Sequence, residues 1–296
     1  MLTGYMAPEG LEHLIEKQLT NIVDKIGRLF IAEGPTQNIL FVQNIWYDLK
    51  KIEFTSIGDA AKQLKTLGKL WSLYPVLSVR RASLIADKLS YFKSKLIPFP
   101  SSLPTSPLGA WTLKNENILY ASAKTSSPFA QGEVYFQESK EPPSRAYLKL
   151  WEALTLLETR PSLNQVCLEI GACPGSWTWA LQKMAKKVIA VDRAPIVDSI
   201  SNLDGVVFLK KDAFSLLPED YKDVDWVFSD VICYPEKLLE WVLKWLQVNP
   251  KLNFVCTLKF QGSCDYRIVE EFLKIPNSKI FHLFNNKHEL TWALVH

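Results

Sequence analysis

Residues 167–177 read Cys-Leu-Glu-Ile-Gly-Ala-Cys-Pro-Gly-Ser-Trp. An apolar run carries Glu169 near its end, and Gly171 and Gly175 then bracket a tight turn that opens into a helical pattern. Glycines let the backbone come close to a ligand, and a helix N-terminus offers free N–H groups to an anionic group. A nucleotide or S-adenosylmethionine suits such a turn. The dinucleotide fingerprint G-x-G-x-x-G is not met, because Cys173 and Pro174 interrupt it, which speaks against a nicotinamide enzyme.

On either side of this loop the chain alternates apolar β-branched runs with helical patterns. Strands are expected at Gln165–Ile170, Lys187–Asp192, Val206–Lys210, Val224–Ser229, Leu252–Lys259, Lys279–Phe284 and His288–Val295. Helices are expected at Trp177–Lys186, Glu236–Gln247 and Asp265–Leu273. Apolar strands alternating with helices predict a mostly parallel sheet covered on both faces. The link Asn285–Lys287 is too short for a parallel crossover, so the sheet should end in an antiparallel hairpin. That is the α/β, Rossmann-like plan of class I methyltransferases. The second strand ends in Asp192, where a ribose diol would bind, and the third runs into Asp212, placed for an adenine amino group.

The first half reads as a smaller α+β domain, ferredoxin-like in order. A helix over Gly10–Val23, strands at Gly27–Ala32 and Ile39–Trp46, a helix at Ile57–Thr66 and strand-like Asn117–Ala123 and Gly132–Gln137 make up this pattern. Four prolines within Leu96–Pro107 mark an irregular connector. Glu141-Pro142-Pro143 sets the expected boundary, with domains at 1–142 and 143–296.

Composition narrows the class. Of 296 residues, 48% are hydrophobic and 22% charged, as in a globular protein. No apolar run approaches the ~20 residues of a membrane span, and MLTGYMAPEG does not read as a secretory signal; a cytoplasmic protein is expected. Five scattered cysteines and four histidines show neither C-x-x-C nor H-E-x-x-H, so no metal site is expected. The net charge of +3 is carried entirely by the N-terminal half.

The ends of the later strands carry the candidate chemistry. Asp230 ends the fourth strand, Lys259 ends an apolar fifth strand where a charge has little other reason to be, and Glu289 opens the last. An antiparallel last strand brings Glu289 to the same sheet edge as Asp230 and Lys259, and Lys149 lies on a helix just before the first strand. A ribose hydroxyl must lose its proton as it attacks a methyl group. A lysine can accept that proton once burial or a neighbouring cation lowers its affinity for it.

With SRAYLKLWEAL at 144–154, LEIGACPGSWTWAL at 168–181, VIAVD at 188–192, FSD at 228–230, TLK at 257–259 and HELT at 288–291, the sequence resembles the FtsJ-type ribose 2′-O-methyltransferases. GACPGSWTW, Ser126–Phe129 and Pro142–Arg145 are most similar to the M-type branch, which methylates a cytidine ribose in large-subunit ribosomal RNA. The resemblance implies a tetrad of Lys149, Asp230, Lys259 and Glu289, with Lys259 as base. It implies S-adenosylmethionine bound by Glu169, Gly171, Ala172, Cys173, Pro174, Gly175, Ser176, Trp177, Asp192, Asp212 and Asp230. RNA is then the partner, met by an N-terminal domain whose Ser78–Trp111 stretch is too short for a full THUMP module. Lys50, Lys51, Arg80 and Arg81 are candidate phosphate contacts. Two rivals stand: a pyrimidine C5-methyltransferase using Cys233, although there the order is Cys-Tyr-Pro, and a non-catalytic RNA-binding factor on a methyltransferase fold.

Overall fold

The computed structural model describes residues 1–261 and 266–296. The chain forms two compact units, Met1–Phe136 and Gln137–His296, dividing six residues ahead of the boundary expected from the proline pair.

In the second unit, helix α4 (Tyr147–Leu157) precedes strand β9 (Val166–Ile170), α5 (Ser176–Gln182), β10 (Lys187–Asp192), the single turn α6 (Asp198–Ser201) and β11 (Val206–Lys210). Then come β12 (Trp226–Ser229), α7 (Pro235–Val248), β13 (Asn253–Lys259), α8 (Ile268–Leu273), β14 (Ser278–Phe281) and β15 (Glu289–Leu294). Asp265, the expected start of the helix before β14, lies outside the described residues. The strands lie in the order β11-β10-β9-β12-β13-β15-β14. The pairs from β11 to β13 are parallel, and β15 runs antiparallel between β13 and β14. The expected sheet and its terminal hairpin are both present.

Burial on both faces explains the near-continuous apolar strands: β9, β12 and β15 are buried at every position. Helix α7 covers one face through Leu238, Trp241, Val242 and Trp245, spaced three and four residues apart, with Pro235 preset in its first turn. Helix α4 is held by Tyr147, packed edge-on to Trp151 and Trp179 at centroid distances of 4.7 and 5.3 Å.

The first unit is one mixed sheet built from β1 (Leu2–Met6), β2 (Ile22–Ile26), β3 (Leu29–Glu33), β4 (Asn44–Glu53), β5 (Trp71–Leu73), β6 (Gly109–Leu113), β7 (Ile118–Ser122) and the short β8 (Lys124–Thr125). Helices α1 (Glu12–Gln18), α2 (Ile57–Leu67) and α3 (Val79–Ala86) connect them. The strand order is β2-β3-β1-β4-β7-β6-β5, with β8 on β4. The run β4-β1-β3-β2 has the order of a split βαβ unit, but no helix joins β3 to β4.

Several first-half expectations need correction. The helix expected to Val23 stops at Gln18, because Asn21 turns the chain with φ +55° and Ile22 and Val23 enter β2. Gly27, at φ +56°, forms the turn before β3 and is not itself a strand residue. The strand expected from Ile39 begins at Asn44, after Phe41 at φ +63°. Of the strand expected at Gly132–Gln137, Gly132 ends a turn over Ala130–Gly132, fixed where the Gln131 amide donates to Ser72 Oγ and the Leu73 carbonyl, and the rest forms only an isolated parallel bridge between Phe136 and Ile97. Strands β5 and β6 and helix α3 were not foreseen.

Candidate active site

The parallel strands deliver their carboxyl ends to one edge of the second sheet. A cavity of about 680 Å³ opens there, lined by Gly171, Asp192, Asp212, Phe214, Asp230 and Lys259 among others. Gly171 has to be glycine: its φ is +77°, and a Cβ would stand 2.6 Å from the backbone N and Cα of Val231. Its N–H and that of Ala172 both donate to the Val191 carbonyl, tying the loop to the end of β10.

The two acids expected at the cofactor both line this cavity, and both already accept hydrogen bonds. Asp192 takes the Cys173 N–H at 3.0 Å and the Ala194 N–H at 2.9 Å. Asp212 takes the Phe214 N–H at 3.0 Å. Each ionised carboxylate has about four acceptor positions, so neither is saturated. Cys173 also lines the cavity; Glu169, Ala172, Pro174, Gly175, Ser176 and Trp177 do not. Ser176 Oγ accepts from the Ser144 N–H at 3.0 Å, and Trp177 Nε1 donates to the Ala146 carbonyl at 2.8 Å. These side chains hold the loop against the start of α4. Glu169 is fully buried and accepts from Thr178 Oγ1 at 2.6 Å; burial pushes its carboxyl up to about 8, despite the Thr178 bond, and the nearby Asp230 charge adds to the rise.

The structure assembles all four tetrad residues. Lys149 Nζ donates to both Asp230 oxygens, at 2.8 and 3.0 Å, and to Glu289 Oε1 at 3.0 Å. Lys259 Nζ donates to the Asp230 carbonyl at 2.6 Å and lies 3.1 Å from Asp230 Oδ1. Strand register explains part of this, since Lys259 and Glu289 are direct cross-strand partners on β13 and β15. The two lysines are not equivalent. Burial alone would lower the Lys149 ammonium, but the charges of Asp230 and Glu289 outweigh it and hold its proton above the ordinary lysine value. Lys259 lines the cavity, whereas Lys149 does not.

Sequence reasoning missed Glu152, one turn along α4 from Lys149. It is buried, and its carboxylate accepts the N–H groups of Phe284 and Asn285 and the Asn285 side-chain amide at 2.7, 3.0 and 2.8 Å. Those residues belong to the β14–β15 connector that delivers Glu289. One helix therefore positions Lys149 directly and Glu289 through the connector. An acid inside the apolar run LKLWEALTLL was the available signal. Cys233 lines the cavity, but burial pushes its thiol up to about 11, even against the pull of Lys237 and Lys259.

Among the described residues no helix is long and apolar enough to cross a membrane. Residues 142–274 match the model of the FtsJ-like methyltransferase family. Ribosomal RNA large subunit methyltransferase M of Azoarcus sp. (strain BH72) is 32% identical over 52% of this chain and 43% of that protein. The protein of the same name from Tolumonas auensis is 24% identical over 89% of this chain and 71% of that protein. Most such alignments span about half the relative or less. Among solved structures, Aeropyrum pernix fibrillarin in complex with S-adenosyl-L-methionine aligns at TM-score 0.40 and 16% identity, covering 51% of this chain and 75% of that one, a likeness too slight to build on. The similarity to the FtsJ-like methyltransferases thus falls on the half of the chain that holds the cavity and the cluster of Lys149, Asp230, Lys259 and Glu289.

Proposed function

We propose that this protein transfers a methyl group from S-adenosylmethionine to a ribose 2′-hydroxyl in RNA, at a cytidine of large-subunit ribosomal RNA. The observation that carries the reading is the division of labour between the two lysines. Lys149 is clamped between Asp230 and Glu289 as a permanent cation, while Lys259 reaches the cavity.

The residues present fit the cofactor. Gly171 lets the loop pack directly against the Val231 backbone at the cavity wall, and Asp192 and Asp212 offer acceptors at successive strand ends, suited to a ribose diol and an adenine amino group. When bound, S-adenosylmethionine supplies an electrophilic methyl group on a sulfonium centre. The chain's own residues do the rest. Lys259, as the free amine, accepts the 2′-hydroxyl proton. Asp230 orients Lys259 through its carbonyl and carboxylate. Lys149 bridges Asp230 and Glu289 and so fixes the Asp230 carboxylate beside Lys259. The first unit would present the RNA. The substrate base and the ribosomal target rest on the M-type resemblance and on the names of the relatives.

Cys233 is a poor nucleophile by contrast, because a thiol raised to about 11 is protonated at neutral pH. The deciding experiment is methyl transfer from labelled cofactor to total RNA, followed by digestion and mass spectrometry of nucleosides. Label in 2′-O-methylcytidine is expected. Label on a base would overturn the reading, and label in another 2′-O-methylnucleoside would keep the reaction and move the target.

A further inference from the structure

The segment from Ile57 to Leu96 holds eight lysines and arginines against two acids, whereas the whole chain has a net charge of only +3. Three of these lysines converge. Lys62 and Lys65, one turn apart on α2, and Lys88, just past α3, line a groove of about 520 Å³ floored by Gly58 and Ala61. Beneath it Ala60, Ala61, Leu64, Ala82 and Ile85 are buried in one cluster, so the two helices form a fixed platform. All three lysines are exposed, and no ion pair is found for them among the described residues. The acid beside Lys62 is Asp59, whose carboxylate already takes the Thr55 N–H and hydroxyl and the Gln63 amide. The other acid, Asp87, is exposed next to Lys88.

The chain leaving the groove continues the pattern. Residues 88–96 read Lys-Leu-Ser-Tyr-Phe-Lys-Ser-Lys-Leu, and Tyr91 is 84% exposed. An aromatic ring this exposed contributes nothing to the core. Lysines in a groove followed by an open aromatic ring are what a single strand of nucleic acid needs, with phosphates along the charges and a base on the ring. A purely acidic protein partner would use the charges and leave the tyrosine unexplained.

We infer that the α2–α3 groove with Tyr91 is a docking track for single-stranded RNA, engaging phosphates through Lys62, Lys65 and Lys88. This rests on the reading that the protein acts on RNA. It also moves the contact away from Lys50 and Lys51 on β4, and away from Arg81, which lies 3.5 Å from Glu116.

The test uses the full chain and a fluorescein-labelled oligouridylate of about 20 nucleotides, long enough for a single-strand site. Binding is followed by anisotropy over a range of salt. The variant Lys62→Glu/Lys65→Glu/Lys88→Glu should lose at least ~10-fold in affinity. Its salt slope should fall by about 2, since single-strand contacts contribute roughly 0.7 each. Tyr91→Ala should weaken binding by several-fold with the slope unchanged. Cofactor affinity, measured by calorimetry, and melting temperature should stay as in the parent, which excludes misfolding. Charge reversal at Lys222, Lys251 and Lys279 serves as the control for net charge. If that control loses as much, or if the groove variant binds like the parent, the inference is overturned while the methyltransferase reading stands. If the parent itself binds no oligouridylate, the inference is likewise overturned, and the methyltransferase reading is judged by the transfer assay to total RNA.

Discussion

Replacing Glu152 by Gln separates the stability of this fold from the positioning of its catalytic edge. Burial raises the Glu152 carboxyl from 4.5 to about 7, although three N–H donors pull it the other way. A carboxyl raised in the folded state holds its proton more tightly there than in the unfolded chain. The folded state is therefore favoured below the unfolded value, loses stability as pH climbs from about 4.5 to about 7, and changes no further above that. At about 1.4 kcal/mol per pH unit, the loss is on the order of 3 kcal/mol. Gln mimics the neutral acid and cannot ionise. Parent and variant should melt together near pH 5, and by pH 8 the variant should be the more stable, by roughly 6–12 °C for a domain of this size.

Activity should move the opposite way. Only the ionised Glu152 has acceptors for all three donors; the amide of Gln confronts at least one N–H with another. The connector is then free to shift Glu289, and methyl transfer should fall roughly 10- to 100-fold, as for a displacement of about 1 Å. The assays are melting temperature from pH 5 to 8 and single-turnover methyl transfer at pH 8. Parallel melting curves would mean that Glu152 does not titrate in that window. Transfer at the parent rate would mean that α4 does not position Glu289 through the connector.

Other substitutions test the site directly. Lys259→Ala should lower transfer by about 10²- to 10⁴-fold, the usual worth of a general base, with cofactor affinity unchanged by calorimetry. Lys149→Met should instead cost stability, about 3–5 kcal/mol in chemical denaturation, because it leaves the buried Glu289 without its cation and Asp230 with Lys259 alone. Gly171→Ala should abolish cofactor binding, since its Cβ meets the Val231 backbone at 2.6 Å and its φ is +77°. Cys233→Ala should leave transfer within about threefold of the parent; a loss of 100-fold or more would revive the cysteine mechanism.

What the sequence disclosed depended on how far each signal had to reach. The second sheet was legible because its strands are buried on both faces, so their apolar runs stand out without reference to anything else. One short link, Asn285–Lys287, was enough to force the antiparallel hairpin. That reversal in turn predicted the convergence of Lys259 and Glu289, which the register makes direct partners. Charged residues at strand ends are conspicuous because they contradict the pattern around them. The first unit has no such contrast. Its β5 is three residues long, β2 is largely exposed at an edge, and two of its turns depend on Asn21 and Phe41 adopting positive φ, which no local pattern announces.

Glu152 marks the boundary between the two cases. Its presence in an apolar helix was visible, but its partners lie 132 and 133 residues away in a connector without regular structure. The same distance makes it informative. A buried carboxylate that costs stability as it ionises is hard to explain by packing, because an apolar side chain would fill the space at no such cost. It makes sense when the ionised form does something an apolar residue cannot. Here that is to grip three donors on the connector that ends in Glu289, from the helix that also carries Lys149. The strain of ionising Glu152 and the order of the tetrad are then one feature, and a variant that relieves the first should loosen the second.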